Sequence, residues 1–346
     1  MTIERILIVN VNWLGDVVFS TPIFKALKKA YPQAHITCLG VPRVKEILEH
    51  SPAVDEVMIY DEKGSDYGLW AKWKLINQLR RKKFDIAFLL HRSLTRALLI
   101  FLAGIPIRVG YDEKGRGVFL THRIKSNRKE MHRSDYYTRI IEAFAVSVDD
   151  RLCELKISAQ SRTDMEQMLQ QRGIASDDFL VLVNAGGNWD LKRWPKKNFV
   201  FLVRRLVREL NVKVVIPGAH KDIALAEQIT REARVSTAIL AGQTDLTQLM
   251  ALMQRANLVI SADSGPLHIA SSVGTRGIGL FGPTRPEETG PRGKGQVQII
   301  QHDVGCNREA CYFLKCPDNV CMQSISVQDV MEAVERLRRE VILIKA

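Results

Sequence analysis

The sequence lacks any apolar run long enough to cross a bilayer. Its longest, Ala97–Ile107 (ALLIFLAGIPI), falls well short of the ~20 residues a spanning helix needs, and Gly104 and Pro106 interrupt it. Nor does the start, MTIERILIVNVNWLGD, read as a secretory leader, because Glu4 precedes the apolar residues and Gly15-Asp16 breaks them. It reads as a first strand, and a cytoplasmic protein is expected. No long low-complexity tract is present, which together with 46% hydrophobic and 25% charged residues excludes a disordered chain. No G-x-G-x-x-G follows the first strand, which weighs against a dinucleotide oxidoreductase. Zinc-finger, RNA-recognition and helix-turn-helix signatures are also missing, so nucleic acid is not expected as a partner.

What is present is length for two domains, 346 residues, and a marked positive balance of +12, with a pI near 9.5. That balance favours an anionic partner such as a phosphorylated metabolite or a membrane surface. Part of it gathers where Arg108, Lys114, Arg116, Arg123, Lys125, Arg128, Lys129 and Arg133 face only Asp112, Glu113 and Glu130. A second cluster, Arg80-Arg81-Lys82-Lys83, reads as a solvated helix end, where cations suit the dipole.

Short β-branched runs alternate with amphipathic stretches from the start: RILIVNV, VVFSTPIFKALKKAYP, HITCLG, VKEILEHSP, EVMIYD. This βαβ rhythm predicts a parallel sheet covered by helices. It breaks across the basic stretch and restarts at FLVLVNAGG, running through VKVVIPG, LVISADSG and RGIGLFG. The expected class is α/β with two Rossmann-like doubly wound domains, residues 1–160 and 161–325, followed by a helix over 326–346 that has nothing of its own to complete and is free to cross back to the first domain.

In open α/β sheets ligands bind at the carboxyl ends of the strands, which makes the βα turns the candidate sites. The first, NVNWLGDVV, places Asp16 there as a base or, equally, as a helix cap. In the second half, Asn184-Ala185-Gly186-Gly187-Asn188 precedes Lys192-Arg193-Trp194-Pro195. Small residues let a phosphate approach the backbone, and Lys192 supplies charge against a diphosphate. Ser261-Ala262-Asp263-Ser264-Gly265-Pro266-Leu267-His268 ends a strand in an acid, a hydroxyl and a glycine and opens a helix at once. Singly, Asp263 and Ser264 read as caps and His268 as a partly buried histidine; their concentration on one turn suits a sugar diphosphate. Thr284 and Arg285 follow a further strand end.

At these motifs the chain resembles the ADP-heptose:lipopolysaccharide heptosyltransferases of glycosyltransferase family 9. NWLGDVV, FLAGIPIRVGY, Gly-Gly with KRWP, PGAHKD, ADSGPLHIA and LFGPT carry the likeness over nearly the whole chain, and the first-domain pieces look more like heptosyltransferase II than heptosyltransferase I. The resemblance implies a GT-B architecture, with two Rossmann-like domains facing across a cleft. It implies an inverting transfer of L-glycero-D-manno-heptose from ADP-heptose to the heptosyl-Kdo-lipid A core. Asp16 would be the general base and Lys192 would stabilise the leaving diphosphate. Gly186, Gly187, Asp222, Asp263, Ser264, Gly265 and His268 would bind the donor, with Asp222 near the ribose and Asp263 on the sugar. Asn12, Arg92 and Arg116 would bind the anionic acceptor, and the basic first domain would dock peripherally on the inner face of the inner membrane. Neither metal nor cofactor is implied. The alternative is heptosyltransferase I, or a family 9 enzyme with another nucleotide sugar or acceptor.

Four cysteines depart from the family pattern. Cys306, Cys311, Cys316 and Cys321 recur every fifth residue. The spacing fits zinc, disulfides or free thiols, and the lack of a C-x2-C pair weighs against metal. Cys38 and Cys153 read as core residues.

Overall fold

The computed structural model describes residues 2–126, 131–306, 311 and 316–345, apart from the side chains of 342–345. Arg128, Lys129 and Glu130 of the basic stretch therefore lie outside the described residues, as do the spans 307–310 and 312–315 between the cysteines. The chain divides into two compact units, Met1–Lys156 and Ile157–Ala346.

The first unit runs β1 (Arg5–Val9), α1 (Leu14–Ala30), β2 (His35–Gly40), α2 (Lys45–Glu49), β3 (Glu56–Ile59), α3 (Leu69–Lys82), β4 (Ile86–Leu89), α4 (Leu94–Leu102), β5 (Ile107–Tyr111), β6 (His122–Ile124) and α5 (Arg133–Glu142). Its sheet is ordered β3-β2-β1-β4-β5-β6 and is parallel throughout. β1 and β4 are buried on both faces, which is why RILIV and IAFL read as continuous apolar runs rather than alternating ones. Helix α1 carries Pro22 in its interior. Proline cannot donate to the carbonyl four residues back. Here Thr21 Oγ1 donates to Val18 O at 2.8 Å and Ser20 Oγ to Val17 O at 2.7 Å, so neighbouring hydroxyls satisfy the carbonyls of that turn.

The second unit runs α6 (Ala159–Gln170), β7 (Leu180–Asn184), α7 (Lys196–Leu210), β8 (Lys213–Ile216), α8 (Ile223–Ala233), β9 (Ala238–Ile239), α9 (Leu246–Arg255), β10 (Leu258–Ala262), α10 (Gly265–Ser272), β11 (Gly277–Leu280), α11 (Pro286–Thr289), β12 (Val297–Ile300), α12 (Val320–Gln323) and α13 (Val327–Lys345). The order β12-β11-β10-β7-β8-β9 is the same doubly wound plan, all parallel. In each sheet the winding reverses between two adjacent strands: β1 and β4 in the first, β7 and β10 in the second. The crevice at the carboxyl end of such a pair is where this fold class holds ligands.

The last helix belongs to the second unit. Val330, Met331, Ala333, Val334 and Leu337 enter the same buried cluster as Trp194, Phe199 and Leu202. The apolar stripe of α13 covers this sheet and α7.

Candidate functional site

In the first unit, a cavity of about 470 Å³ opens at the carboxyl ends of β1 and β4, within the ordinary size of a small-ligand site. Asn12, Trp13 and Asp16 line it from the β1–α1 turn, and His91, Arg92 and Ser93 from the end of β4. Lys114, Tyr136 and Tyr137 complete the wall. Asp16 is not the helix cap. Trp13 occupies that position, and Asp16 sits in the first turn of α1 as the only acid there, where the helix dipole favours an anion. Tyr137 of α5 donates its hydroxyl to Asp16 Oδ1 at 2.8 Å. Behind it Tyr136 stacks on Tyr111 with ring centroids 4.0 Å apart. Burial and the neighbouring Glu113 push the Tyr136 hydroxyl up to about 12, so it stays a neutral donor to Glu113 Oε1 at 3.0 Å.

Asn12 lines the cavity with its Oδ1 enclosed and lacking a hydrogen-bond partner among the described residues. An orphaned buried acceptor costs about 1–3 kcal/mol, which a ligand hydroxyl would offset. Arg92 also lines the cavity, held through Nη1 by Glu113 Oε2 at 3.1 Å. Burial alone would raise Glu113, but Ser126, Tyr136 and Arg92 outweigh it and keep the carboxylate ionised below its usual range.

Arg116, expected to meet the acceptor, is 0% exposed and absent from the cavity wall. Its Nε donates to Tyr111 O at 2.7 Å and its Nη1 to His91 O. A guanidinium enclosed in this way fixes the strand ends that carry His91 and Tyr111. The basic stretch is likewise less of a solvated face than its composition suggests, since Arg108 donates to the carbonyls of Phe119 and Ile105 and Arg133 is buried.

His91 escapes sequence reasoning although the rule for strand ends points to it. Burial, then the charges of Arg96, Arg116, Arg92 and Lys114, push its imidazole down to about 3, so it is neutral at working pH. Ser93 N–H donates to Nδ1 at 3.1 Å, leaving the proton on Nε2. Tyr137 has no local signal at all, because only the packing of α5 on α1 brings it to Asp16.

In the second unit, the carboxyl ends of β7 and β10 assemble a polar knot around Asp263, whose side chain is 3% exposed. Its Oδ2 accepts from Lys192 Nζ at 2.6 Å, Thr284 Oγ1 at 2.7 Å and Thr289 Oγ1 at 3.2 Å. His268 Nε2 stands 3.3 Å from Oδ1. Burial works to raise this carboxyl, but His268 and Lys192 prevail and hold it far below the usual carboxylate range. Four side chains contact its oxygens, so the carboxylate holds Lys192, His268, Thr284 and Thr289 together at these strand ends.

Ser264 is the N-cap residue of α10 by position, yet its hydroxyl makes no capping bond. It meets Ser261 Oγ at 2.9 Å, and Asn184 Nδ2 donates to that same Ser261 Oγ at 2.9 Å. The first turn of α10, beginning at Gly265, is thus left without a side-chain cap, with a dipole that suits an anion. Gly186 is needed for packing. A Cβ there would stand 2.5 Å from the Asp222 carboxyl carbon. Asp222 is buried and accepts from Ala219 N–H at 3.0 Å, closing the GAHKD turn over the end of β7. Gly187 is open on the Cβ side, and its carbonyl is held by Arg193 at 2.7 Å and Lys221 at 3.3 Å.

The model of glycosyltransferase family 9 (heptosyltransferase) matches residues 72–315, more than half of the chain. The chain belongs to glycosyltransferase family 9. It is 27% identical over 299 residues to lipooligosaccharide heptosyltransferase 2 of Haemophilus influenzae, covering 83% of this chain and 86% of that one. A crystal structure of a family 9 glycosyltransferase from Veillonella parvula superimposes with a TM-score of 0.85 at 25% identity, over 98% and 99% of the two chains. The structure of E. coli ADP-heptose lps heptosyltransferase II shares the fold, with a TM-score of 0.82 at 23% identity over 99% and 100%. As a family 9 member the chain is a glycosyltransferase with two Rossmann-like units.

The four clustered cysteines line a second cavity of about 340 Å³ beside Gly282, Pro283 and Thr284, and none is disulfide-bonded. Among the described residues no three His, Cys, Asp or Glu side chains are gathered so as to hold a metal ion. Cys38 and Cys153 are buried.

Proposed function

We propose that this family 9 enzyme transfers L-glycero-D-manno-heptose from ADP-heptose to the heptosyl-Kdo-lipid A inner core, in the manner of heptosyltransferase II, at the inner face of the inner membrane. The observation that carries the reading is the Lys192–Asp263–His268 knot at the start of α10, where an ammonium and an imidazole stand beside a helix N-terminus without a side-chain cap, at the carboxyl ends of the switch-point strands of the second sheet. Support also comes from the H. influenzae relative named heptosyltransferase 2.

In this reading Asp16 takes the proton from an acceptor hydroxyl as its oxygen attacks the anomeric carbon from the face opposite the leaving group. The bond from that carbon to the diphosphate oxygen breaks, configuration inverts, and ADP leaves carrying the electron pair. Lys192, His268 and the amides of Gly186, Gly187 and Gly265 stabilise the charge that builds on the diphosphate. Asp222 lies toward the nucleoside. Asn12 and Arg92 hold the acceptor, Arg92 meeting its phosphate and Asn12 a hydroxyl. Arg116 serves by fixing the wall on which they stand. Among the described residues no helix is long and apolar enough to cross a membrane, and a lipid-linked acceptor then implies peripheral attachment.

The test is release of ADP from ADP-heptose in the presence of a heptosylated core acceptor. ADP-heptose should be turned over and UDP- and GDP-sugars left intact; no release from any ADP-sugar would overturn the proposal.

A further inference from the structure

Helix α3 presents an apolar face to solvent that neither the strand-end sites nor the transfer chemistry uses. Leu69 is 82% exposed, Trp70 73% and Trp73 54%, and Tyr67 just before the helix is 81% exposed. Trp70 and Trp73 stack on each other with centroids 4.8 Å apart. At 100° per residue, Leu69, Trp70 and Trp73 share the outward side with Lys74 and Arg81, while Leu75 and Leu79 face the core. The helix has no acidic residue, and Lys72, Lys74, Arg80, Arg81 and Lys82 all lie on it. Two of these cations are engaged: Arg80 on Leu102 O, and Lys82 with Glu56 at 2.6 Å. Lys74 and Arg81 are exposed.

We infer that this face of α3 is a docking surface for an anionic lipid bilayer, with Tyr67, Leu69, Trp70 and Trp73 entering the headgroup region and Lys74 and Arg81 meeting lipid phosphates. Charge complementarity selects this occupant. Tryptophan and tyrosine settle at the membrane–water boundary, where an apolar ring body and a polar edge are both satisfied, and cations beside them add attraction to anionic lipid. An acidic soluble partner would answer the cations alone, whereas the exposed tryptophans, tyrosine and leucine beside them match the apolar-to-polar boundary of a bilayer. The inference goes beyond the transfer reading and does not depend on which sugar moves, since docking is measured with neither donor nor acceptor present.

The experiment is sedimentation of the full chain with vesicles of phosphatidylglycerol and phosphatidylethanolamine, set against pure phosphatidylcholine. The wild type should bind the anionic vesicles, release in 0.5 M salt (a Debye length of about 4 Å), and show a blue-shifted emission quenched by brominated acyl chains. Trp70→Ser with Trp73→Ser, and separately Lys74→Glu with Arg81→Glu, should each weaken binding by about tenfold or more, the second by loss of phosphate attraction. All four positions are exposed, so thermal unfolding should not move, and both pairs should keep ADP release on a detergent-solubilised acceptor. Failure of the wild type to bind anionic vesicles, or equal binding by either variant pair, overturns the inference. So does a self-associated state in analytical ultracentrifugation that Trp70→Ser with Trp73→Ser dissolves, which would assign the face to a second copy of the chain.

Discussion

Replacing Lys192 by methionine keeps most of the unbranched side chain and removes its charge from the knot. Losing one partner of a buried ion pair costs about 3–5 kcal/mol. Two features reduce this here. Lys192 is 22% exposed, so water shares in solvating it, and Asp263 keeps Thr284, Thr289 and His268 when the lysine is gone. The loss should be about 2–3 kcal/mol. For a unit of this size each kcal/mol moves the unfolding midpoint by about 2–4 °C, so the second unit should melt roughly 4–12 °C lower. Asp263→Asn should cost a similar amount by leaving the ammonium without its counter-charge, and the double variant should cost less than the two together by about 1–2 kcal/mol, the coupling expected of directly contacting charges. Thermal and urea unfolding of the four proteins close the cycle.

The same variants separate two roles for Asp263. If it organises Lys192, Asp263→Asn lowers kcat while ADP binds as well as before or better, because the ammonium is released from competition. If it grips the sugar, ADP binding is unchanged and ADP-heptose alone binds more weakly. Additive stabilities, with Lys192→Met within 0.5 kcal/mol of wild type by the usual scatter of neutral surface changes, would refute the ion-pair argument.

Asp16→Ala should lower kcat by about 10²–10⁴-fold, the ordinary contribution of a general base, with donor affinity nearly intact in calorimetry; a collapse of donor affinity would make Asp16 a binding residue. Gly186→Ala should force the Asp222 carboxylate off Ala219 N–H, costing about 1–3 kcal/mol in unfolding free energy and raising the donor KM. His91 sits near 3 in the folded chain against an ordinary value of about 6.5, so the unfolded state binds the extra proton between those values. Stability should therefore fall as pH drops through that window by about 1 kcal/mol per pH unit from this group. Urea midpoints of His91→Asn should be flatter than wild type between pH 6.5 and 4.5, and parallel slopes would count against the assignment.

The doubly wound plan of both units was legible because a parallel sheet buries its strands on two faces, so RILIV, IAFL, LVLVN and LVISA stand out as apolar blocks between amphipathic stretches. Strand ends then gave Asp16, Lys192, Asp263 and His268 as neighbours of the switch points. What composition could not show is direction. Arg116 looks like the other arginines of a basic stretch, yet its guanidinium turns inward to carbonyls. Asp263 looks like a free ligand group, and only the fold brings Thr284 and Thr289 from more than twenty residues away to occupy it. Tyr137 was out of reach for the same reason, lying 121 residues from the acid it touches. The fate of α13 turned on which sheet lacked a cover, and sequence periodicity gives a stripe without naming its partner.

The central claim is met most directly by the product. The full chain, ADP-heptose and a heptosylated Kdo-lipid A core should yield an acceptor heavier by one heptose, with ADP formed in equal amount and the new anomeric centre inverted relative to the donor in NMR. An acceptor of unchanged mass under conditions where ADP-heptose is bound, or a product with the donor's own anomeric configuration, would contradict it.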